Sequence, residues 1–357
     1  MYKSLRAQTL HYFARPHERI PHMPVASPAA WRGDELRNRN DWMFEFDAAQ
    51  RAELEAAVRA SERGGLPLAA MTRADFPLPT LAAHARRWRD EVHRGRGFIL
   101  LRGVPVQQWS EAQAERFFWG LGQHLGIPGA QNPQGDLLGH VRDQRTGQDV
   151  RYYRTNKELA VHCDTADIVG LLCLQRAKSG GLSRIASSVS VFNELLRRRP
   201  DLAPRLFEPF WFDTKGEGGV KAFPIAPCRY AGGVLRSFWQ SDYYRSVQAF
   251  GHVPRLTAAE HELLDVYDGI ASEPAFHLDM DLLPGDVQLL SNHTQLHART
   301  AFEDWPEPER RRHLLRLWIS VPERASFKTQ WQRGRALLAL SLAAARQMRR
   351  ERRLALS

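Results

Sequence analysis

His162-Cys163-Asp164, answered much later in the chain by His297 in Asn292-His293-Thr294-Gln295-Leu296-His297-Ala298-Arg299-Thr300, constrains this chain more than any other feature. In a β-strand, side chains i and i+2 share a face. His162 and Asp164 therefore offer an imidazole nitrogen and a carboxylate oxygen from the same side. A histidine from a distant strand completes two imidazoles and one carboxylate on one side of a metal, leaving the opposite positions open. That donor set suits non-haem Fe(II) chemistry with O₂. His297 and His293 both stand as candidates for the third ligand.

The rest of the chain must supply a fold able to hold such strands face to face. At 357 residues it can bury a sizeable core, as one large or two modest domains. Asp47 with Gln50, Ser110 with Gln113 and Thr257 with Glu260 have capping-box spacing and predict three helix starts. Thr80 opens a further helix through Trp88 and Val92, stopped near Gly95-Arg96-Gly97. Ser190 to Arg199 reads as a helix ended by Pro200. Phe98–Leu101, Ile168–Leu174, Leu182–Ala186, Val287–Leu290 and Leu314–Val321 read as short buried strands. Many short strands with a few helices outside predict a mainly β chain with flanking α-helices, a double-sheet jelly roll. Residues 1–45 read as an irregular wrapping segment and 126–150, rich in Gly, Pro, Gln and Asp, as a long loop. The expected division is 1–94 wrapping segment and helices, 95–322 jelly-roll core and 323–357 basic helical tail, within one structural unit. In that tail Leu338, Leu342 and Ala345 form an apolar stripe, expected to dock on the body or on a second subunit.

Charge and cysteine content narrow the partners. The net charge of +10 spreads over scattered Arg without an aromatic-interleaved basic patch, so no nucleic-acid partner is expected. An anionic substrate or cosubstrate accounts for local arginines equally well. The three cysteines, Cys163, Cys173 and Cys228, form no CxxC and argue against a disulfide framework; a reducing cytoplasm is the expected location. No apolar run approaches a membrane span, and no membrane partner is expected. A homo-oligomer is one option for the tail.

Four runs together carry a family resemblance: Thr155–Asp167, Ser179-Gly180-Gly181-Leu182-Ser183, Asn292–Thr300 and Arg312-His313-Leu314-Leu315-Arg316-Leu317-Trp318. In this order they resemble the taurine dioxygenase family, over roughly residues 95–322. The resemblance implies a double-stranded β-helix that uses Fe(II), 2-oxoglutarate and O₂. It implies that His162, Asp164 and His297 bind the iron, His297 being preferred over His293 for its Leu-His-x-Arg-Thr setting. Arg312 then matches the arginine that receives the distal carboxylate of 2-oxoglutarate, Ser183 its supporting hydroxyl, and Arg316 a second arginine that meets an anionic substrate in some members. Ser187 and Ser188 compete with Ser183. A charged Arg316 inside an apolar strand independently demands a partner. Where Cys163 stands the family usually has Thr or a similar residue, but that side chain points away from the metal pair.

The reaction implied is oxidation of a substrate C–H coupled to decarboxylation of 2-oxoglutarate to succinate and CO₂. Hydroxylation gives an alcohol and desaturation an alkene. Halogenating relatives need a small residue in place of the carboxylate, so Asp164 favours oxygen insertion or desaturation. Asn156, Trp239, Tyr243 and Tyr244 are candidate contacts to an organic small-molecule substrate. A nucleic-acid demethylating oxygenase and a non-catalytic jelly-roll ligand binder are the readings from other classes.

Overall fold

The computed structural model describes residues 2–143, 156–216, 220–322 and 327–354. Two antiparallel sheets face one another. The larger runs Met43–Glu45, Phe98–Arg102, Val287–Ser291, Ile168–Gln175, His313–Ser320 and then Ile127–Gly129, with Gly139–Val141 also paired to His313–Ser320. Only its first pair is parallel. The smaller runs His277–Met280, Ser183–Ser187, Gln295–Arg299 and Leu159–His162.

Alternation along the strands builds three apolar layers. Phe98, Leu100, Val169, Cys173, Leu290, Leu314 and Trp318 of the large sheet meet Ile185, Leu278 and Met280 of the small one. The opposite face of the large sheet, with Leu101, Leu172, Leu289, Leu315 and Leu317, is covered by helices Ala48–Arg63, Leu81–Arg94 and Glu111–Leu125. Leu296 and Ala298, on the outer face of the small sheet, pack with helices Ser188–Arg198 and Ala258–Ser272. Both faces of the large sheet are thus covered, which is why His313–Ser320 is buried at every position and reads as a continuous run rather than an alternation.

The three capping boxes form as read, at Asp47, Ser110 and Thr257. Thr80 does not cap with its own side chain. Instead the carboxylate of Glu53, from a neighbouring helix, accepts from the Thr80 and Leu81 amides at 3.0 and 2.9 Å.

Other local readings are corrected. Part of 126–150 supplies the edge strands Ile127–Gly129 and Gly139–Val141, because the ladder of His313–Ser320 offers hydrogen bonds that composition does not reveal; 144–150 lie outside the described residues. The N-terminal segment carries a helix, Leu5–Phe13, capped by Ser4. In total the described residues hold nine α-helices, more than the sequence reading placed.

The tail is a helix, Phe327–Leu354, but not with the expected face inward. Leu338 and Leu342 are 62 % and 50 % exposed, whereas Gln347 is buried, Arg333 reaches His11, and Glu351 accepts from the Lys221 and Ala222 amides. Polar anchors, invisible to an apolar-stripe argument, choose the docked face. No described helix is long and apolar enough to cross a membrane.

Gly285 makes the turn that leads into the central Val287–Ser291 strand. Its φ is +91°, and a Cβ there would lie 2.1 Å from the Val104 carbonyl oxygen, a backbone atom that cannot swing aside. Gly285→Ala is expected to cost about 2–4 kcal/mol, read as a lower urea midpoint; an unchanged midpoint would contradict the strain.

Candidate active site

His162 and His297 stand directly opposite each other on paired strands, with ring centroids 4.1 Å apart. Both point into the space between the sheets, while Val161 and Cys163 on one strand and Leu296 and Ala298 on the other pack outward. One donor atom each from His162, Asp164 and His297 lies within 4.8 Å of the others, so these three could hold a metal ion. His162 Nδ1–H donates to the Ala160 carbonyl at 2.9 Å, which leaves Nε2 with its lone pair free to ligate. Burial lowers the His162 pKa, and burial together with His162 holds His297 at about 3. Both rings are therefore neutral, as ligands must be.

Burial pushes the Asp164 carboxyl up, but the Arg316 cation, with the Trp318 N–H, outweighs it and holds it below the ordinary range, hence ionised. Its Oδ2 accepts from Trp318 Nε1 at 2.9 Å and lies 3.5 Å from Arg316 Nη1. The backbone is fixed from the other side: Asp164 N–H donates to Asn292 Oδ1 at 3.0 Å, and Asn292 Nδ2 donates to the Ala166 carbonyl at 3.0 Å.

His293 has other work. Its Nε2 meets Asp167 Oδ1 at 2.8 Å, the ring stacks on Tyr12 at 4.4 Å, and Arg15 and His11 close on the same carboxylate. This buried cluster fastens the N-terminal helix to the turn before His297 and takes His293 out of reach of the metal donors. The burial of Arg15 and Asp167 is tolerable only because each charge meets the other.

Arg312, Leu314, Arg316 and Trp318 share the face of His313–Ser320 that looks between the sheets, since they alternate along the strand. Arg312, Arg316, Ser183, His162 and His297 line one cavity. Arg312 is deeply buried, and burial lowers its pKa to about 10, still a cation at neutral pH. Its Nη1 has no hydrogen-bond partner among the described residues. An orphaned guanidinium donor in a cavity beside the metal triad fits a carboxylate ligand. Ser183 Oγ donates to Gln288 Oε1 at 2.8 Å, so its one proton must turn from Gln288 to meet a carboxylate in this cavity. Neither competitor lines this cavity: Ser187 caps the Ser188–Arg198 helix, and Ser188 Oγ, buried without a hydrogen-bond partner among the described residues, lies within that helix. Arg316 Nε donates to Gln131 Oε1 at 2.8 Å, and Gln131 in turn donates to the Arg316 carbonyl at 2.6 Å.

A second cavity opens on the other side of the triad, between His162, Asp164 and Trp318 and a wall of Phe212, Thr214, Lys215, Gln240, Asp242 and Tyr243. Tyr243 thus reaches the site as read. Trp239 does not: it is 1 % exposed, lies against Tyr267 and donates to Asp268 at 2.7 Å, so it belongs to the core. Tyr244 is likewise core. Asn156 is exposed, and its carbonyl accepts from the Phe302 amide. Sequence reasoning missed Lys215, whose φ of +54° is unusual for a side chain of that size. Asp213 holds it there, accepting from its amide at 2.9 Å and its Nζ at 2.6 Å. It also gave no role to Asn292, Gln131 or Trp318, although all but Gln131 lie in the quoted runs.

Residues 63–318 match the model of the taurine catabolism dioxygenase TauD, TfdA family. The chain belongs to this family. It is an Fe(II)/2-oxoglutarate-dependent oxygenase of a small organic molecule, using O₂ and built on the double-stranded β-helix. It is 33 % identical to FR-33289 synthase of Streptomyces rubellomurinus over 325 residues, 86 % of this chain and 93 % of that one. It is 28 % identical to the taurine hydroxylase-like protein SAT17 of Stachybotrys chartarum, over 81 % and 77 % of the two chains. Among solved structures it resembles asparagine oxygenase in complex with Fe(II), 2S,3S-3-hydroxyasparagine and succinate, with a TM-score of 0.63, 17 % identity and coverage of 78 % and 93 %. The non-haem iron oxygenase OrfP in complex with Fe and alpha-ketoglutaric acid has a TM-score of 0.59 at 14 % identity, covering 78 % and 94 %.

Burial, with Arg15 beside it, lowers the His293 pKa from 6.5 to about 3. Between these values the unfolded chain holds the extra proton, so stability is lost as pH falls from about 6.5 toward 3. The urea midpoint is expected to drop across that window, and His293→Gln to remove part of the slope. A midpoint independent of pH would contradict this.

Proposed function

We propose that His162, Asp164 and His297 hold Fe(II), that Arg312 with Ser183 receives the distal carboxylate of 2-oxoglutarate, and that the chain hydroxylates an aliphatic carbon of a small polar, anion-bearing molecule. The observation that carries the reading is the pair of cavities flanking one triad. One holds a buried guanidinium whose Nη1 has no partner among the described residues, and the other is lined by mixed polar and aromatic side chains. Bound iron with 2-oxoglutarate and O₂ supplies an oxidant strong enough for an unactivated C–H bond.

The protein's share is positioning. The Ala160 carbonyl orients His162, while Trp318 and Arg316 hold the carboxylate of Asp164. Arg312 fixes which way the cosubstrate lies, because a guanidinium pairs with a planar carboxylate in a set geometry. On the substrate side Lys215 places its ammonium 4.9 Å from the centre of the Tyr243 ring. Opposite signs on Lys215 and Asp242 favour a substrate with an anionic group at one end and a hydrogen-bond donor or cation at another. That the relatives include oxygenases crystallised with hydroxylated amino acids supports this class. Hydroxylation is preferred over desaturation on the same likeness.

His162→Ala and Asp164→Ala are each expected to abolish substrate-dependent succinate formation with an unchanged circular dichroism spectrum; full activity in either would remove the metal assignment. Arg312→Ala is expected to raise the KM for 2-oxoglutarate by roughly tenfold or more, the loss of a charge-assisted contact, with iron affinity preserved. An unchanged KM would move that role to Arg316. In a screen of carboxylated and amino-acid-like compounds, Lys215→Ala is expected to raise the KM of the accepted substrate and leave that of 2-oxoglutarate unaltered. Equal change in both would place Lys215 outside the substrate wall.

A further inference from the structure

We propose a second metal site, for Zn²⁺, on the reverse face of the same strand: Glu111, His140 and His313 as ligands, with Glu115 orienting His140. The residues converge from three elements. Glu111 and Glu115 are one turn apart at the start of helix Glu111–Leu125; His140 lies in the edge strand Gly139–Val141, and His313 opens the strand His313–Ser320. His140 stands opposite Leu315 in register, so His140 and His313 share the sheet face on which Leu315 and Leu317 meet that helix. Arg312 and Arg316 occupy the other face. This cluster is therefore separate from the oxygenase centre although one strand serves both.

The geometry suits an ion. His140 Nδ1 and His313 Nε2 are 3.0 Å apart, sharing a hydrogen bond whose proton an ion would displace, and Glu111 Oε1 is 3.5 Å from His140 Nδ1. One donor atom from each of the three lies within 4.8 Å of the others. Two nitrogens bound to Zn²⁺ at 2.0–2.1 Å and a tetrahedral angle are about 3.3 Å apart, so only a small spread of the rings admits the ion. His140 Nε2, the nitrogen left over, faces Glu115 Oε1 at 3.4 Å. A carboxylate behind the unused nitrogen is the arrangement that fixes the tautomer of a ligating histidine. His313 is buried, His140 and Glu115 are partly covered, and Glu111 is half exposed, which leaves a way in for the ion and a position for water. Two imidazoles and a carboxylate without a thiolate suit Zn²⁺ at four-coordination with that water. An ion here ties helix, edge strand and central strand together at the point where the register of His313–Ser320 shifts, between His313 and Leu314.

The test uses untagged full-length protein stripped with a chelator, titrated with Zn²⁺ in a calorimeter and with Co²⁺ by visible absorption. Wild type is expected to bind two equivalents, and His162→Ala/Asp164→Ala one. That double variant should gain melting temperature with Zn²⁺, and should lose both the uptake and the gain when His140→Ala is added. Glu115→Gln, which keeps the shape of the side chain, should weaken the second equivalent about tenfold or more. The proposal is overturned if His162→Ala/Asp164→Ala takes up no Zn²⁺ at micromolar concentration, or if its uptake survives His140→Ala. It is likewise overturned if wild type binds a single equivalent that His140→Ala leaves intact. Failure of the oxygenase ligands would appear separately, as uptake unaffected by His162→Ala/Asp164→Ala.

Discussion

One buried amide side chain sets the geometry on which the site depends. Asn292 lies in the tight turn between strands Val287–Ser291 and Gln295–Arg299, and its carboxamide spans the gap to the loop after His162. Its own amide also donates to the Asp167 carbonyl at 3.0 Å. Three hydrogen bonds from one residue lock the segment bearing Asp164 to the turn that leads into the strand bearing His297. Each of these backbone groups is buried, so losing the partner would cost its desolvation as well as the bond. Two sheets can twist and slide within limits. With this tie in place, the two imidazoles and the carboxylate keep their mutual positions before any ion arrives.

The same economy governs the charges. Asp164 is buried yet ionised because the Arg316 cation and the Trp318 N–H face it. Arg316 is tolerated inside an apolar strand because Gln131 and Asp164 meet it. Arg312, which lines the cavity beside the triad, has a donor left over among the described residues. A buried guanidinium donor left incomplete inside a cavity beside the triad is a site prepared for an anion.

Much of this was legible in the sequence. The i, i+2 spacing of His162 and Asp164 and the four-residue spacing of Arg312 and Arg316 each fix a face without knowledge of the fold. The capping boxes at Asp47, Ser110 and Thr257 are local and formed as read. What failed was non-local. Trp239 looked like a pocket aromatic, but the acceptor for its indole, Asp268, comes from a helix about thirty residues on. The Thr80 cap comes from Glu53. The edge strands within 126–150 exist because His313–Ser320 offers them a ladder, and their Gly-Pro composition says nothing of that. Around Lys215 the sequence signals only a turn, through Gly216; that the lysine itself takes the left-handed backbone and faces the cavity depends on Asp213 and on the fold.

The division of labour between sheet and hairpin bears on how such an enzyme diversifies. His313–Ser320 is packed on both faces, so a change there disturbs the core, the triad or the cosubstrate cavity together. The substrate wall is separate. Phe212, Thr214 and Lys215 belong to or follow a small two-stranded hairpin, and Gln240, Asp242 and Tyr243 lie at the short helix beside it. The wall is tied to the triad strand by the Cys163 N–H, which donates to the Trp239 carbonyl, and by the Gln240 side-chain Nε2, which donates to the Cys163 carbonyl. Mutations in this wall can accumulate, or the wall be exchanged wholesale, while the oxidising centre and its cosubstrate chemistry are inherited unchanged.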